Sequence, residues 1–277
     1  MRSGAGLLLG LGAAGVLLLH LLLLLRRARR ALPAEGKAVL ITGCDKGFGH
    51  ALAKCLHAKG FTVFAGCLLM DENGDGAREL RNMKSERMKV LQMDVCSDQE
   101  VARAVDFVKR TLKEPEEGRV VNVTSMLGRM ASPSRSCYCV SKFGVAAFSD
   151  CLRQEMYRWG VRVVLIEPGN FVAATGILTA AGIDRQARAL WGGATLAVRQ
   201  DYGSERFARH VAGMKSFASS GLKDMSLVLD AITEALTSPR PRNRYNPMEM
   251  YWWVRLQVVT HLPTAIADWL YIPGATL

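Results

Sequence analysis

Ser125, Tyr138 and Lys142 have the residue types and spacing for proton transfer at a carbon–oxygen bond. Tyr138-Cys-Val-Ser-Lys142 sets a tyrosine and a lysine four positions apart, which is one face if the segment is helical. A tyrosine hydroxyl has a reference pKa near 10 and is a poor base at neutral pH. An ammonium beside a tyrosine favours the phenolate. Ser125 lies 13 residues upstream, where its hydroxyl could hold a substrate oxygen while Tyr138 exchanges the proton. A tyrosine and lysine at this spacing are, alone, mostly a surface coincidence. Their weight depends on the elements that would position them.

Those elements begin at Lys37. Residues 37–42 (KAVLIT) form a short apolar, β-branched run that reads as a buried strand. Gly43, Cys44, Asp45, Lys46, Gly47, Phe48 and Gly49 follow without a break. His50 to Lys59 then places Leu52, Cys55 and Leu56 on one helical face, with Gly60 as the stop. Phe61 to Cys67 is a second strand. A glycine triplet alone is a weak signal, but here it falls at a strand-to-helix turn inside a βαβ unit. Glycines there let backbone approach a pyrophosphate, and the helix N-terminus supplies N–H groups and a positive dipole end.

The spacing is Thr-Gly-x-x-x-Gly-x-Gly rather than Gly-x-Gly-x-x-Gly, and it resembles the short-chain dehydrogenase/reductase family. The resemblance extends from about Lys37 to Ile272. It implies a Rossmann-like α/β fold, a doubly wound parallel sheet. It implies that a nicotinamide cofactor carries the hydride, with Ser125 orienting the substrate oxygen, Tyr138 as acid/base and Lys142 assisting the tyrosine and holding the cofactor ribose. Val90 to Val95 (VLQMDV) reads as a third strand, and its Asp94 matches the acidic residue near the adenine. Ser97 with Glu100 makes a capping box for a helix carrying Val101, Val105, Val108 and Leu112. Arg119 to Ser125 is a further strand, the Tyr138 helix runs on to Arg158 and Gly160, and Val161 to Glu167 is another strand. Pro168-Gly169 matches the turn beside the nicotinamide, and Thr175 the hydroxyl near its carboxamide. With Gly43, Asp45, Lys46, Gly47, Phe48, Gly49, Asp94, Tyr138 and Lys142, these make up the cofactor set.

NAD is the cofactor implied. The end of strand two holds Gly66-Cys67-Leu68 in place of an acid for the ribose hydroxyls, and Lys46 could attract a 2′-phosphate, so NADP stays open. Longer stretches, among them TSMLGRM, YCVSKFGVAAFSDCLRQEMY and EPGNFVAAT, resemble the mitochondrial, lipid-dependent branch that interconverts (R)-3-hydroxybutyrate and acetoacetate. Branches acting on retinol and on 17β-hydroxysteroids lie near it and stand as the alternative. A small acid as substrate would call for a cationic group in the pocket.

One departure is large. The family carries Asn-Asn-Ala-Gly on a fourth strand, then a helix bearing a catalytic asparagine. Neither is present, and Asn122 lies within a strand and does not match. Gly43 and Tyr138 are 95 residues apart, about 50 fewer than a complete doubly wound sheet of this kind needs. The join falls in 113–119 (KEPEEGR). One central strand–helix unit is therefore expected to be missing, costing ladder hydrogen bonds beside strand one, exposing apolar faces and impairing catalysis.

Outside this unit, residues 3–25 carry no charge and end at Arg26-Arg27-Ala28-Arg29-Arg30. Residues 1–30 read as a membrane anchor with a basic flank, 31–36 as a linker and 37–277 as the dehydrogenase domain. The resemblance places the chain at the mitochondrial inner membrane; the anchor would equally suit the endoplasmic reticulum. Residues 176–221 read as helices and a loop over the substrate, and 248–272, with Tyr251, Trp252 and Trp253, as an apolar segment for membrane lipid or for packing. The net charge is +11, and five cations lie in residues 1–30, leaving about +6 elsewhere, a weak case for nucleic acid. The seven cysteines lack CxxC spacing and no histidines cluster near them, so no metal site is expected and the thiols read as core residues. The expected partners are a small hydroxy or keto substrate, membrane lipid and, from the family, further copies of the chain.

Overall fold

The computed structural model describes residues 32–112 and 118–272. The anchor assigned to residues 1–30 and most of the join at 113–119 lie outside these. Among the described residues no helix is long and apolar enough to cross a membrane.

Two parallel three-stranded sheets organise the chain. The first runs β1 (Ala38–Ile41), α1 (Gly47–Ala58), β2 (Thr62–Cys67), α2 (Asp75–Asn82), β3 (Met88–Gln92) and α3 (Asp98–Thr111), with strand order β1-β2-β3. The second is β4 (Arg119–Val123), β5 (Arg162–Ile166) and β6 (Arg244–Tyr245), in that order. Between β4 and β5 lies α4 (Ser136–Glu155), continued by a 3-10 turn, Met156–Trp159, that ends at Gly160 in the left-handed conformation, φ +71°. Between β5 and β6 come the turn α5 (Val172–Thr175), α6 (Ala180–Gly193), α7 (Leu196–Tyr202), α8 (Ser204–Ala218) and α9 (Ser226–Thr237). Two helices, α10 (Met250–His261) and α11 (Thr264–Tyr271), follow β6.

β2 and β5 are the buried centre strands of their sheets. Val63, Phe64, Ala65 and Cys67 are fully buried, as are Leu165 and Ile166. Such continuous apolar runs are what a sheet covered on both faces requires. The strand expected at Val90 to Val95 sits earlier, at Met88–Gln92. Met88 is its buried residue, and Asp94 already begins a turn, its Oδ1 accepting from Cys96 N at 2.9 Å. The Ser97–Glu100 cap forms on one side only. Ser97 Oγ accepts from Glu100 N, but the Glu100 carboxylate reaches Asp94 N at 2.7 Å instead of Ser97.

β1 pairs only with β2, and β4 only with β5, among the described residues. Thr62 N donates to Lys37 O, and Thr124 N to Ile166 O. Alternate residues of a parallel strand bond one neighbour. The amides of Ala38 and Leu40 therefore face away from β2, and those of Val121 and Val123 away from β5. Leu40 and Val123 are each 37% exposed, although central strands of such sheets are normally covered. The two sheets are held together from the side. Val228, Ile232 and Ala235 of α9 are buried in one cluster with Leu52 and Leu56 of α1 and Val164 and Ile166 of β5. Arg119 Nη1 ties β4 to the end of α9 through the carbonyls of Ala235 (2.9 Å) and Ser238 (2.7 Å).

The cysteines divide. Cys44, Cys67 and Cys139 are buried as expected, and burial pushes the Cys67 thiol up to about 12. Cys96, Cys137 and Cys151 are exposed, against the expectation of core thiols. The latter two lie on a face of α4 that nothing among the described residues covers, beside Val140 (73% exposed) and Phe148 (58%). No group of three or more potential metal ligands occurs among the described residues.

Candidate active site

The glycine turn is built by close backbone approach. Gly43 and Gly47 have φ of +70° and +63°, the left-handed region that favours glycine. A Cβ on Gly49 would lie 2.3 Å from the Gly43 carbonyl oxygen, closer than any side chain tolerates. The turn is thus a cradle with no room for side chains, and its N–H groups open the helix α1. That is the shape a pyrophosphate needs. Gly49→Ala is expected to weaken NAD binding by about tenfold or more. Titrating NAD into both proteins by calorimetry checks this, and equal affinities would remove the turn from the cofactor site.

The remaining residues of the set take different places. Asp45 accepts from Leu68 N (2.8 Å) and Leu69 N (3.0 Å), so both carboxylate oxygens fasten the loop after β2. Lys46 is exposed at the N-cap of α1 with extended backbone. Phe48 packs edge-on against Phe171, ring centroids 5.7 Å apart. Asp94 lies just past the end of β3, partly buried. Thr175 is buried and donates to Val172 O at 3.2 Å. Its backbone lies where a Gly47 Cβ would meet Thr175 O at 3.3 Å. The contacts at Phe48 and Gly47 bring the glycine turn against the segment that follows β5.

That segment leads to Ser125, Tyr138 and Lys142. Met126 N donates to Pro168 O at 2.9 Å, joining the Pro168-Gly169 turn to the loop that carries Ser125. Gly169 N donates to Pro247 O, and a Cβ on Gly169 would lie 2.6 Å from Met248 Cβ, so the turn is wedged against the chain after β6. Ser125 is buried and caps a single 3-10 turn, Met126–Gly128, accepting from Leu127 N at 3.2 Å. Met126, Leu127, Met130, Cys139 and Leu256 form a small core beneath it. Gly128 lets this turn press on α4, since a Cβ there would lie 2.8 Å from Lys142 O.

Tyr138 and Lys142 share one face of α4, as their spacing requires. The Lys142 ammonium lies 5.6 Å from the Tyr138 ring centroid, and burial lowers its pKa. Tyr138 is 46% exposed, open to a substrate. The same ammonium reaches the Val123 carbonyl at 3.5 Å, the far limit of a hydrogen bond. That carbonyl belongs to the open edge of β4.

The sequence did not reveal the support behind the turn. Glu167 is fully buried at the end of β5 and pairs with Arg244; Asn246 Nδ2 donates to it at 2.8 Å, and Arg129 lies 3.9 Å away. The Glu-Pro-Gly order was visible, but no spacing signals a partner 77 positions on. A surface depression of about 360 Å³ lies near Gly160 to Val164 and Pro241, at the amino end of β5. Ligands of open α/β sheets bind at the carboxyl ends, where the glycine turn, Ser125 and Pro168 lie.

The sequence model for short chain dehydrogenase matches residues 37–114 and 108–183, and this chain belongs to the short-chain dehydrogenase/reductase family. Its class is that of NAD-dependent oxidoreductases acting on CH–OH groups. Among curated relatives, the mitochondrial D-beta-hydroxybutyrate dehydrogenase of Rattus norvegicus is 44% identical, over 86% of this chain and 84% of the relative. Retinol dehydrogenase 16 of Mus musculus is 33% identical, over 84% and 87%. A short-chain dehydrogenase/reductase from Burkholderia phymatum, solved in complex with NAD, shares the fold at 17% identity with a TM-score of 0.62, over 89% of this chain. The family match breaks in two at 108–114, where the expected strand–helix unit is missing. The rat alignment spans 290 positions yet covers only 86% of 277 residues, so about fifty positions of it have no counterpart here.

Proposed function

We propose that this protein interconverts (R)-3-hydroxybutyrate and acetoacetate with NAD. The observation that carries the reading is the joining of two parts at the carboxyl ends of the strands. They are the glycine cradle and the Ser125–Tyr138–Lys142 group beside Pro168-Gly169. The greater identity to the hydroxybutyrate enzyme than to retinol dehydrogenase favours the small acid. The chemistry that bound NAD would supply is acceptance of the hydride from the carbon that bears the hydroxyl. The Ser125 hydroxyl holds the substrate oxygen, and Tyr138 receives the hydroxyl proton as the carbonyl forms. In the reverse direction Tyr138 returns that proton to the oxygen. Lys142 presents its positive charge to Tyr138 and reaches toward the ribose. Gly43, Gly47 and Gly49 would hold the pyrophosphate, Asp94 would serve the adenine and Thr175 the carboxamide.

A second reading is favoured by the outer edges of β1 and β4, which pair with no further strand among the described residues: a form that binds NAD but turns over slowly. A catalytic asparagine is absent with the missing unit. Both readings are tested by following NADH absorbance with (R)-3-hydroxybutyrate, all-trans-retinol and a 17β-hydroxysteroid, alongside direct NAD titration. Turnover highest for hydroxybutyrate is the expected result. Preference for retinol or the steroid overturns the substrate assignment, and NAD binding without turnover of any substrate establishes the impaired form.

We propose further that residues 1–30 anchor the domain at the mitochondrial inner membrane, the endoplasmic reticulum being the alternative. The exposed Tyr251, Trp253, Trp269 and Leu270 suit an interface with lipid, while Trp252 and Leu256 of the same segment pack beneath Ser125. The uncovered face of α4, with Val140, Phe143 and Phe148, suits pairing with a second copy.

A further inference from the structure

The first turn of α4 carries Tyr138 beside a second functional candidate, Arg135. Arg135 is the N-cap residue of α4, three positions before Tyr138. Its guanidinium carbon lies 3.7 Å from the ring centroid of Phe217, at the end of α8. The Phe217 carbonyl accepts from Ser220 N and Oγ, and Asn170 Nδ2 donates to Ser220 Oγ at 3.0 Å. Asn170 follows the Pro168-Gly169 turn directly. Arg135 thus joins the first turn of α4, which carries Tyr138, to the end of α8, and Ser220 and Asn170 link that end to the Pro168-Gly169 turn.

The charge of Arg135 is uncommitted. Arg129 and Arg244 pair with Glu167, and Arg244 also with Asp150. Lys142 faces Tyr138. Arg135 forms no ion pair with a carboxylate among the described residues; the groups facing it are Phe217, Tyr138 and Cys139. Partial burial also lowers its pKa, so part of its hydration is already lost. Ser134, just before it, has φ +63°, uncommon for a residue with a Cβ. Such backbone persists where surrounding contacts fix it. A stacked, half-desolvated guanidinium is a prepared site for a carboxylate, which it can grip through two parallel hydrogen bonds.

We propose that Arg135 is the specificity-determining residue that binds the substrate carboxylate and so presents the alcohol carbon to Tyr138. This rests on the reading of the substrate as a small hydroxy acid. The ring of Phe217 fixes the plane of the guanidinium, and the carboxylate completes its charge. A neutral retinol or steroid would leave that cation desolvated and unpaired, which disfavours it.

The test uses the 277-residue chain saturated with oxidised NAD, a state in which added acetoacetate cannot turn over. Acetoacetate and its neutral methyl ester are titrated by calorimetry into the unmodified chain, Arg135→Gln and Arg135→Lys. The unmodified chain is expected to prefer the acid. Arg135→Gln is expected to lose roughly 10- to 100-fold in acid affinity, as for a lost charge-assisted pair, and with it the preference over the ester. Arg135→Lys, with charge but no fork, is expected to fall between them. NAD binding by each variant shows that it is folded, and either variant alone suffices for the comparison. Undiminished preference for the acid in a folded variant overturns the role of Arg135 and leaves the substrate reading standing. Failure of the unmodified chain to prefer the acid overturns the substrate reading, and this proposal with it.

Discussion

Restoring a strand and helix of about fifty residues at 113–118, taken from the corresponding segment of the rat relative, is expected to raise kcat by about a thousandfold. The reason is geometric. The glycine cradle hangs from β1 and the Ser125 loop from β4, and no ladder joins those strands among the described residues. Their relative position is set by side-chain packing through α9 and by contacts such as Phe48 with Phe171. Packing of that kind leaves more play than a continuous ladder. A misplacement of about 1 Å between hydride donor and acceptor costs on the order of 10² in rate. A strand between β1 and β4 would take up the open amides of Ala38, Leu40, Val121 and Val123. It would also bond the Val123 carbonyl, releasing the Lys142 ammonium toward Tyr138. The returned asparagine adds a proton-handling group, and such groups contribute about 10² or more. Parallel measurement of kcat and NAD affinity separates the effects: kcat should rise steeply, while NAD affinity should change little because the cradle is already formed. Hydrogen exchange should slow at the four amides named. Equal kcat in the two proteins would mean that packing alone holds the site in register.

What the sequence made legible was local. The glycine turn, the Tyr138–Lys142 face and the caps depend on residues within a few positions of one another, and each formed close to where its pattern lay. The missing unit was also legible, because a count of residues between Gly43 and Tyr138 tests a whole topology at once. The edges of β1 and β4, unpaired among the described residues, and the partly exposed Leu40 and Val123 are its structural counterpart. Partnerships across long separations carried no such mark. Asp45 sits inside the glycine turn, yet its carboxylate serves the amides of Leu68 and Leu69, 23 and 24 positions away. Arg135 stacks on Phe217, from a region where composition singled out no ligand. The exposure of Cys137 and Cys151 followed from a helix face left uncovered, which periodicity alone does not show.

A partnership of similar range, between Glu167 and Arg244, is the one whose loss should cost most in stability. Glu167→Ala is expected to destabilise the domain by about 3–5 kcal/mol, as when one member of a buried ion pair is removed. Glu167 has no exposed surface, and every carboxylate oxygen is engaged: Oε1 by Arg244, Oε2 by Asn246 at 2.8 Å with Arg129 at 3.9 Å. Its loss leaves Arg129 without an acid and Arg244 with Asp150 alone, two cations held partly out of water. Exposed pairs such as Lys54 with Glu79 contribute far less, about 0–1 kcal/mol, because water screens them. Glu167→Gln keeps the volume and an acceptor for Asn246, so the difference between the two variants isolates the cavity and the hydrogen bond from the charge. For a domain of this size the alanine variant should melt roughly 6–20 °C lower. The effect reaches the site because Glu167 precedes Pro168, whose carbonyl accepts from Met126 N beside Ser125. In folded Glu167→Gln, turnover should therefore fall further than NAD affinity, since the cradle lies on the other sheet while Ser125 shares this one. Denaturant unfolding with paired kinetics decides it, and a loss below about 1 kcal/mol in the alanine variant would mean that the cluster behaves like a surface pair.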